Sequence, residues 1–181
     1  VLIIITGSAL IALLEMFGDQ VVVRDWGYFY GKSLFNHDVF WHFGSYPLHD
    51  PYMFGGQDLL ANPQANVLSP FVLFDLFFRI PYSVVLRVAA YMVCGAFGAY
   101  KWFKYNGASS LASYFSVFVF LHCTFFSLHL AEGHITFAAF YLFPLALLSI
   151  QRFTDNRFKL IFFAIQALLI LDGAIYVFVF Q

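Results

Sequence analysis

Between Ser110 and Ala131 the chain runs without a single Asp, Glu, Lys or Arg, and other runs of similar character flank it. A helix that crosses a bilayer needs about 20 apolar residues at about 1.5 Å rise each. Val1–Phe17, Ser83–Phe103, Ser110–Ala131, Ile135–Ile150 and Leu160–Phe180 reach or approach that length. Charged residues make up 10% of the chain, against about a quarter in soluble globular domains. So little charge cannot cover a soluble surface, and an integral membrane protein is expected. The runs are continuous rather than alternating, which predicts helices and not an outer-membrane barrel. The expected fold is all-α, a polytopic membrane helix bundle of about five transmembrane helices.

The basic residues give this bundle a direction. Lys101 and Lys104 lie in one short turn, and Arg152, Arg157 and Lys159 in another. If these turns face the cytoplasm, every acidic residue except Asp155 falls in the outer half. The remaining cations, Arg24, Lys32, Arg79 and Arg87, then lie in or near the long outer loop, which weighs little in that rule. A formal net charge of -1 offers no basic stripe, so nucleic-acid binding is excluded as a class. The chain opens inside one apolar run and stops just after another, so residues 1–181 are expected to be a single truncated transmembrane domain of a longer protein. A secretory leader is the alternative for the first run, but that run lacks a basic start and a small-residue cleavage site before Gly18. Cys94 and Cys123 have neither disulfide-framework nor zinc spacing and read as small buried thiols.

The first outer loop, 18–82, is far longer than an ordinary helix connection. It is rich in aromatics, which argues against disorder. Asp25–Phe43 interleaves Trp26, Phe29, Tyr30, Phe35 and Phe40 with charges, a pattern that predicts a helix lying in the membrane interface. Val67–Phe78 is apolar but too short to span, and predicts a second interfacial or re-entrant helix.

The candidates for chemistry collect on the same outer side. Asp19 and Asp25 follow the first helix. A carboxylate there can take a proton from an incoming hydroxyl or amine. The plainer readings are a helix end in water for Asp19 and an N-cap for Asp25. Glu132-Gly133-His134 forms a whole outer turn, and two potential ligands about one glycine can converge on a cation or a phosphate. One Glu and one His do not define a metal site, so a divalent cation stays optional, and a solvated turn is the plainer reading. His129 is placed to pair with Glu132, three residues on. Arg87 and Asp172 are ionisable groups inside apolar helices, positions that usually face a cavity or a partner. Arg87 reads as a phosphate-binding cation or as a snorkelling side chain. Asp75 and Arg79 have the spacing of a local ion pair, His122 reads as a packing residue, and Asp38 as merely solvated.

The ordered set Asp25-Trp26, Pro47-Leu48-His49-Asp50-Pro51-Tyr52, Gly55-Gly56, Leu59-Leu60-Ala61-Asn62-Pro63-Gln64 and Leu68-Ser69-Pro70 resembles the first extracytoplasmic loop of bacterial and archaeal multi-spanning proteins. These are classed as GT-C-fold glycosyltransferases, in the YfhO-like and family-39-like membrane group. Glu132-Gly133-His134 with Pro144, and Asp172-Gly173-Ala174-Ile175-Tyr176, resemble later segments of that family. His49 stands where the family commonly has Trp, and Asp172 where it commonly has Gly, so Asp172 inherits no role.

The resemblance implies a prokaryotic plasma-membrane enzyme with its active face extracytoplasmic. Its donor would be a sugar on a polyprenyl phosphate and its acceptor a glycan, lipid or protein. Transfer would invert the anomeric centre. Asp25 would be the base, with Asp19 second. Glu132, His134, Arg87 or Lys32 would meet the phosphate, and Glu132 and His134 would hold a metal if one binds. The alternative function is a non-enzymatic transporter or scaffold in envelope glycan or lipid assembly. It would need polar groups along a path through the helices.

Overall fold

The computed structural model describes residues 1–16, 25–53 and 55–179. It is predominantly helical, and two of its helical segments, Tyr82–Tyr105 and Ser110–Glu132, are long and apolar enough to cross a membrane.

Helix α1 (Leu2–Met16) matches the first apolar run as far as the described residues extend. Helix α2 (Trp26–Phe43) occupies the stretch whose aromatic spacing predicts a helix, and Gly44 ends it in the left-handed conformation. Its first turns bury Trp26, Phe29 and Tyr30 in the main core. Burial pushes the Tyr30 phenol up to about 12. Beyond that the helix turns its polar side inward. Lys32, Ser33, Asn36 and His37 are buried, while Leu34, Trp41 and Phe43 are exposed. The aromatic side is therefore not one continuous buried stripe.

The rest of the loop is compactly tied. Strands β1 (His49–Asp50) and β2 (Gln57–Asp58) pair antiparallel, with His49 opposite Asp58. A 3-10 turn at Pro63–Ala65 follows, capped by Asn62, whose side chain accepts from Gln64 N–H at 2.9 Å. Leu59, Ala65 and Val67 with Phe35 make a small core of their own. Helix α3 (Val72–Phe77) is shorter than the 67–78 expected. The Ser69 hydroxyl accepts from Phe71 N–H at 3.1 Å, holding Ser69-Pro70 as a turn instead of a helix start.

Helix α4 (Tyr82–Tyr105) is the central element, packed against α1, α3, α5, α7 and the 3-10 run before α7. The approach is close because Gly95 and Gly98 have no side chain. A Cβ at Gly95 would stand 2.5 Å from the Tyr141 carbonyl oxygen, and one at Gly98 2.7 Å from Leu145 Cβ. Small residues at helix contacts serve this purpose inside membranes.

The three later apolar runs are broken, not continuous. The third is α5 (Ser110–Leu121) and α6 (Thr124–Glu132), divided at His122–Cys123. The fourth begins as a 3-10 run, Ile135–Leu142, and becomes α7 (Phe143–Gln151) only at Pro144. Proline has no N–H to give, and the Phe140 carbonyl accepts instead from Phe143 in the tighter 3-10 manner. The fifth is α8 (Asn156–Leu171) and α9 (Ile175–Val179), divided at Asp172–Gly173. It starts before Leu160 because the Asp155 side chain caps it, accepting from Arg157 N–H at 2.9 Å. Outward-facing side chains on α5 and α8 include Leu111, Phe115, Leu160 and Phe163. Cys94 lies on such an exposed face and Cys123 is half-buried. Both are free thiols, but neither is buried as expected.

Candidate functional site

The two turns carrying Lys101, Lys104, Arg152, Arg157 and Lys159 lie together at one end. Asn106 and Gln151 exchange amide hydrogen bonds of 3.2 and 3.3 Å across them. The Asp25 start of the long loop meets the Glu132–His134 turn elsewhere in the fold. Asp25 N–H donates to the Glu132 carbonyl at 3.3 Å. The link depends on Gly133, which ends α6 at φ +86°; a Cβ there would lie 2.5 Å from Trp26 N and 2.9 Å from the Asp25 carbonyl carbon. No L side chain fits at that position without moving the start of α2.

The contact brings side chains together as well. His134 Nε2 lies 3.3 Å from Asp25 Oδ2, with the Asp25 side chain 60% and the His134 side chain 38% exposed. His134 Nδ1 lies 3.0 Å from His129 Nδ1. His129 and His134 share one hydrogen bond between their Nδ1 atoms, and the Asp25 carboxylate stands at ion-pair distance from the Nε2 of His134, so the three side chains lie in a row. The Asp25 carboxylate makes no helix-capping bond although Asp25 stands at the N-cap of α2. Its N-cap reading therefore holds for position only, and the carboxylate is open to solvent and to a ligand. His129 pairs with His134 and stacks on Phe137 at 4.0 Å, in place of the expected pairing with Glu132. Glu132 is half-buried. Asp19 lies outside the described residues.

Beside this row, the break between α5 and α6 opens an apolar cleft of about 460 Å³. Phe120, Cys123, Phe125, Phe126, Phe140 and Phe143 line it. The Phe125 ring stands edge-on to His129 at 4.6 Å, which joins the cleft to the polar row. His122 borders the break as the C-cap of α5. Its Nδ1 lies 3.0 Å from the Phe118 carbonyl, and its ring stacks on Phe118 as a packing residue.

The other candidates lie apart from the Asp25–His134 pair. Arg87 is 5% exposed and donates to Asp75 Oδ2 at 3.2 Å. Asp75 also accepts from Asn36 Nδ2 at 3.2 Å. Asp75 therefore turns inward to Arg87 on the next helix and not to the exposed Arg79 beside it, because a carboxylate that is 2% exposed needs a buried partner. Asp172, at the α8–α9 break, is 1% exposed, accepts from Tyr91 O–H at 2.6 Å and also bonds Ser69. Arg87 thus neither snorkels nor opens onto the Asp25–His134 pair. Lys32 is 5% exposed, with its ammonium 4.3 Å above the Tyr28 ring and no hydrogen-bond acceptor among the described residues. Asp38 contacts His37 at 3.3 Å and lines a cavity beside α2, so it is more than a solvated charge. Among the described residues no group of three or more His, Cys, Asp or Glu side chains is placed to hold a metal ion.

No protein-family model matches the chain, and no curated protein or solved structure does either.

Proposed function

We propose that the chain belongs to a polytopic membrane glycosyltransferase of GT-C type, which moves a sugar from a polyprenyl-phosphate donor to an acceptor on the extracytoplasmic side. The observation that carries this reading is the open Asp25 carboxylate, backed by His134 and His129 and set beside a phenylalanine-lined cleft. A donor with an apolar tail and a polar head matches that juxtaposition. The tail occupies the cleft and the sugar phosphate reaches the polar row.

In this reading Asp25 takes the proton of the acceptor hydroxyl as its oxygen attacks the anomeric carbon. The bond from that carbon to the phosphate oxygen breaks, and the lipid phosphate leaves with the electron pair, inverting the centre. The His134–His129 chain shares the proton after transfer. The departing charge needs a cation. Lys32 lies seven residues beyond Asp25, on the same helix face and about 10 Å along the axis, and its ammonium lacks an acceptor among the described residues. We assign the phosphate to Lys32 rather than to Arg87, whose guanidinium is held by Asp75. A divalent cation at Glu132 and His134 is an addition the chemistry accepts but does not need. A transporter would string its polar groups along an open path, whereas Asp75, Arg87, Tyr91 and Asp172 are packed against one another at 5% exposure or less. That favours the enzyme over the transporter.

The test uses membranes carrying the full-length protein and labelled polyprenyl-phosphate sugars. Asp25→Asn should lower transfer by about 10²–10⁴-fold, with membrane insertion unchanged. Asp58→Asn, at an exposed site where Asn can still accept from Leu60 N–H, should leave transfer intact. Full transfer by Asp25→Asn removes Asp25 from the chemistry.

A further inference from the structure

Gly27 and Gly31 stand one turn apart in α2, and nothing in the fold requires glycine at either. Neither has a positive φ, and a Cβ on either would meet no atom within 4 Å. Glycine weakens a helix interior relative to alanine, so these two positions give up helix stability without a packing return. What they leave is bare backbone on the floor of a cavity of about 610 Å³ between α2 and the β1–β2 hairpin. That size falls within the range of about 300–1,000 Å³ typical of small-molecule sites.

The walls are mostly apolar, with Leu34, Val39 and Met53 beside aromatic rings, and their polar groups include Asp38, Asp50 and His42. Tyr28, Phe35 and Tyr52 line the cavity, and Tyr52 stands edge-to-face with Phe35 at 6.4 Å while remaining 82% exposed. Asp50 is buried in the wall, and its Oδ1 accepts from Tyr52 N–H at 2.9 Å, which fixes the turn that carries the ring. Asp38 stands at the rim with its side chain 47% exposed. No Lys or Arg is among the lining residues. A phosphate, an anionic lipid or a uronic acid would meet two carboxylates against one imidazole, that of His42, and no Lys or Arg. Sugar hydroxyls or an ammonium group would meet strong acceptors, and the C–H face of a pyranose would meet the rings.

We propose that this cavity binds a saccharide, either uncharged or amine-bearing. Gly27 and Tyr28 carry the cavity to the first turn of α2, the turn that follows Asp25 in the chain, although Asp25 itself is not among the lining residues. On the transferase reading this saccharide is the acceptor, a name that rests on that reading; the binding itself does not.

The experiment presents the full-length protein in nanodiscs, without donor, to an array of uncharged, amine-bearing and uronic-acid di- to tetrasaccharides. Binding is expected to the first two classes, at least tenfold tighter than to the third. Gly31→Leu, which fills the floor and raises helix propensity, should weaken binding at least tenfold, and Tyr52→Ala should do the same. Gly7→Leu, at another helical glycine whose Cβ would meet nothing, should leave it unchanged. Saccharide binding that Gly31→Leu abolishes, in a protein that transfers no sugar, keeps the site and defeats the transferase reading. The site itself is overturned by three results: no saccharide binding at all, a preference for uronic acids, or Gly31→Leu binding as wild type does. Capture of phosphatidylglycerol vesicles in place of sugars, lost in Gly31→Leu, also overturns it.

Discussion

Replacing Gly133 with alanine separates the two turns that make the site. The new Cβ would start 2.5 Å from Trp26 N, and such contacts need at least 3.4 Å to be ordinary. The start of α2 must therefore retreat by nearly the difference, about 1 Å, since the atoms in the way are backbone. The same retreat breaks the 3.3 Å bond from Asp25 N–H to the Glu132 carbonyl and widens the 3.3 Å Asp25–His134 ion-pair contact. The left-handed backbone costs about 1–2 kcal/mol in any L residue, and the lost bond adds roughly 1 kcal/mol. A misplacement of about 1 Å in a catalytic group can cost about 100-fold in rate. We expect Gly133→Ala to lower sugar transfer about 100-fold, measured with labelled donor in membranes, and to lower the melting temperature in detergent. Gly107→Ala is the control. Its φ of +88° imposes the same backbone strain, but nothing lies within 4 Å of its Cβ. It should lose a few degrees of Tm and keep full activity. If Gly133→Ala and Gly107→Ala behave alike, strain alone explains the loss and the Asp25–His134 juncture has no part in catalysis.

Two further outcomes check the fold around that site. Arg87→Met leaves Asp75 buried without its cation and should cost about 3–5 kcal/mol in denaturant unfolding, whereas Arg79→Gln should stay within about 0.5 kcal/mol; equal costs would restore the Asp75–Arg79 pair. In a Cys94→Ser/Cys123→Ser background, cysteines at Ser45 and Asn156 should react with an impermeant maleimide from opposite sides of sealed cells. Labelling of both from outside defeats the proposed arrangement of basic turns inside and the long loop outside.

The helix content and the meeting of Asp25 with the Glu132–His134 turn were legible because each rests on a local signal. Apolar run length gave α1 and α4, the aromatic spacing gave α2, and the Gly in Glu132-Gly133-His134 marked a turn that α2 could approach. Side-chain partnership was less legible. Asp75 and Arg79 have ideal spacing for a local pair, yet α3 is a short helix pressed on α4, and burial rather than spacing chose Arg87. His129 could reach Glu132 along the helix, but Gly133 reverses the chain and returns the next imidazole to it. The polar inner side of α2 and the cavity beside it were hidden for a related reason. Gly27 and Gly31 carry no hydrophobic signal, and only the position of the hairpin shows what they leave open.

The breaks in the apolar runs tie these observations together. Backbone that leaves a helix inside an apolar run needs partners in the protein or a cavity to line, and each break in this chain is answered in one of those ways. At His122–Cys123 the Phe118 carbonyl takes both the His122 N–H at 3.1 Å and the imidazole at 3.0 Å, and Cys123 lines the apolar cleft. At Gly133 the Leu130 and His129 carbonyls are capped by the N–H groups of Gly133 and His134, and the turn carries the Asp25 contact. At Asp172–Gly173 the buried carboxylate is held by Tyr91, with Ser69 of the outer loop reaching it as well. A run read as one continuous helix carries its side chains past such points in regular rotation. A broken one turns backbone and side chains toward a common place. In this chain those places coincide with the cleft, the proposed base and the buried link between loop and helices. Repairing the first break should therefore act on the proposed lipid donor and not on the proposed base: it would close the apolar cleft while leaving the Asp25–His134 contact standing.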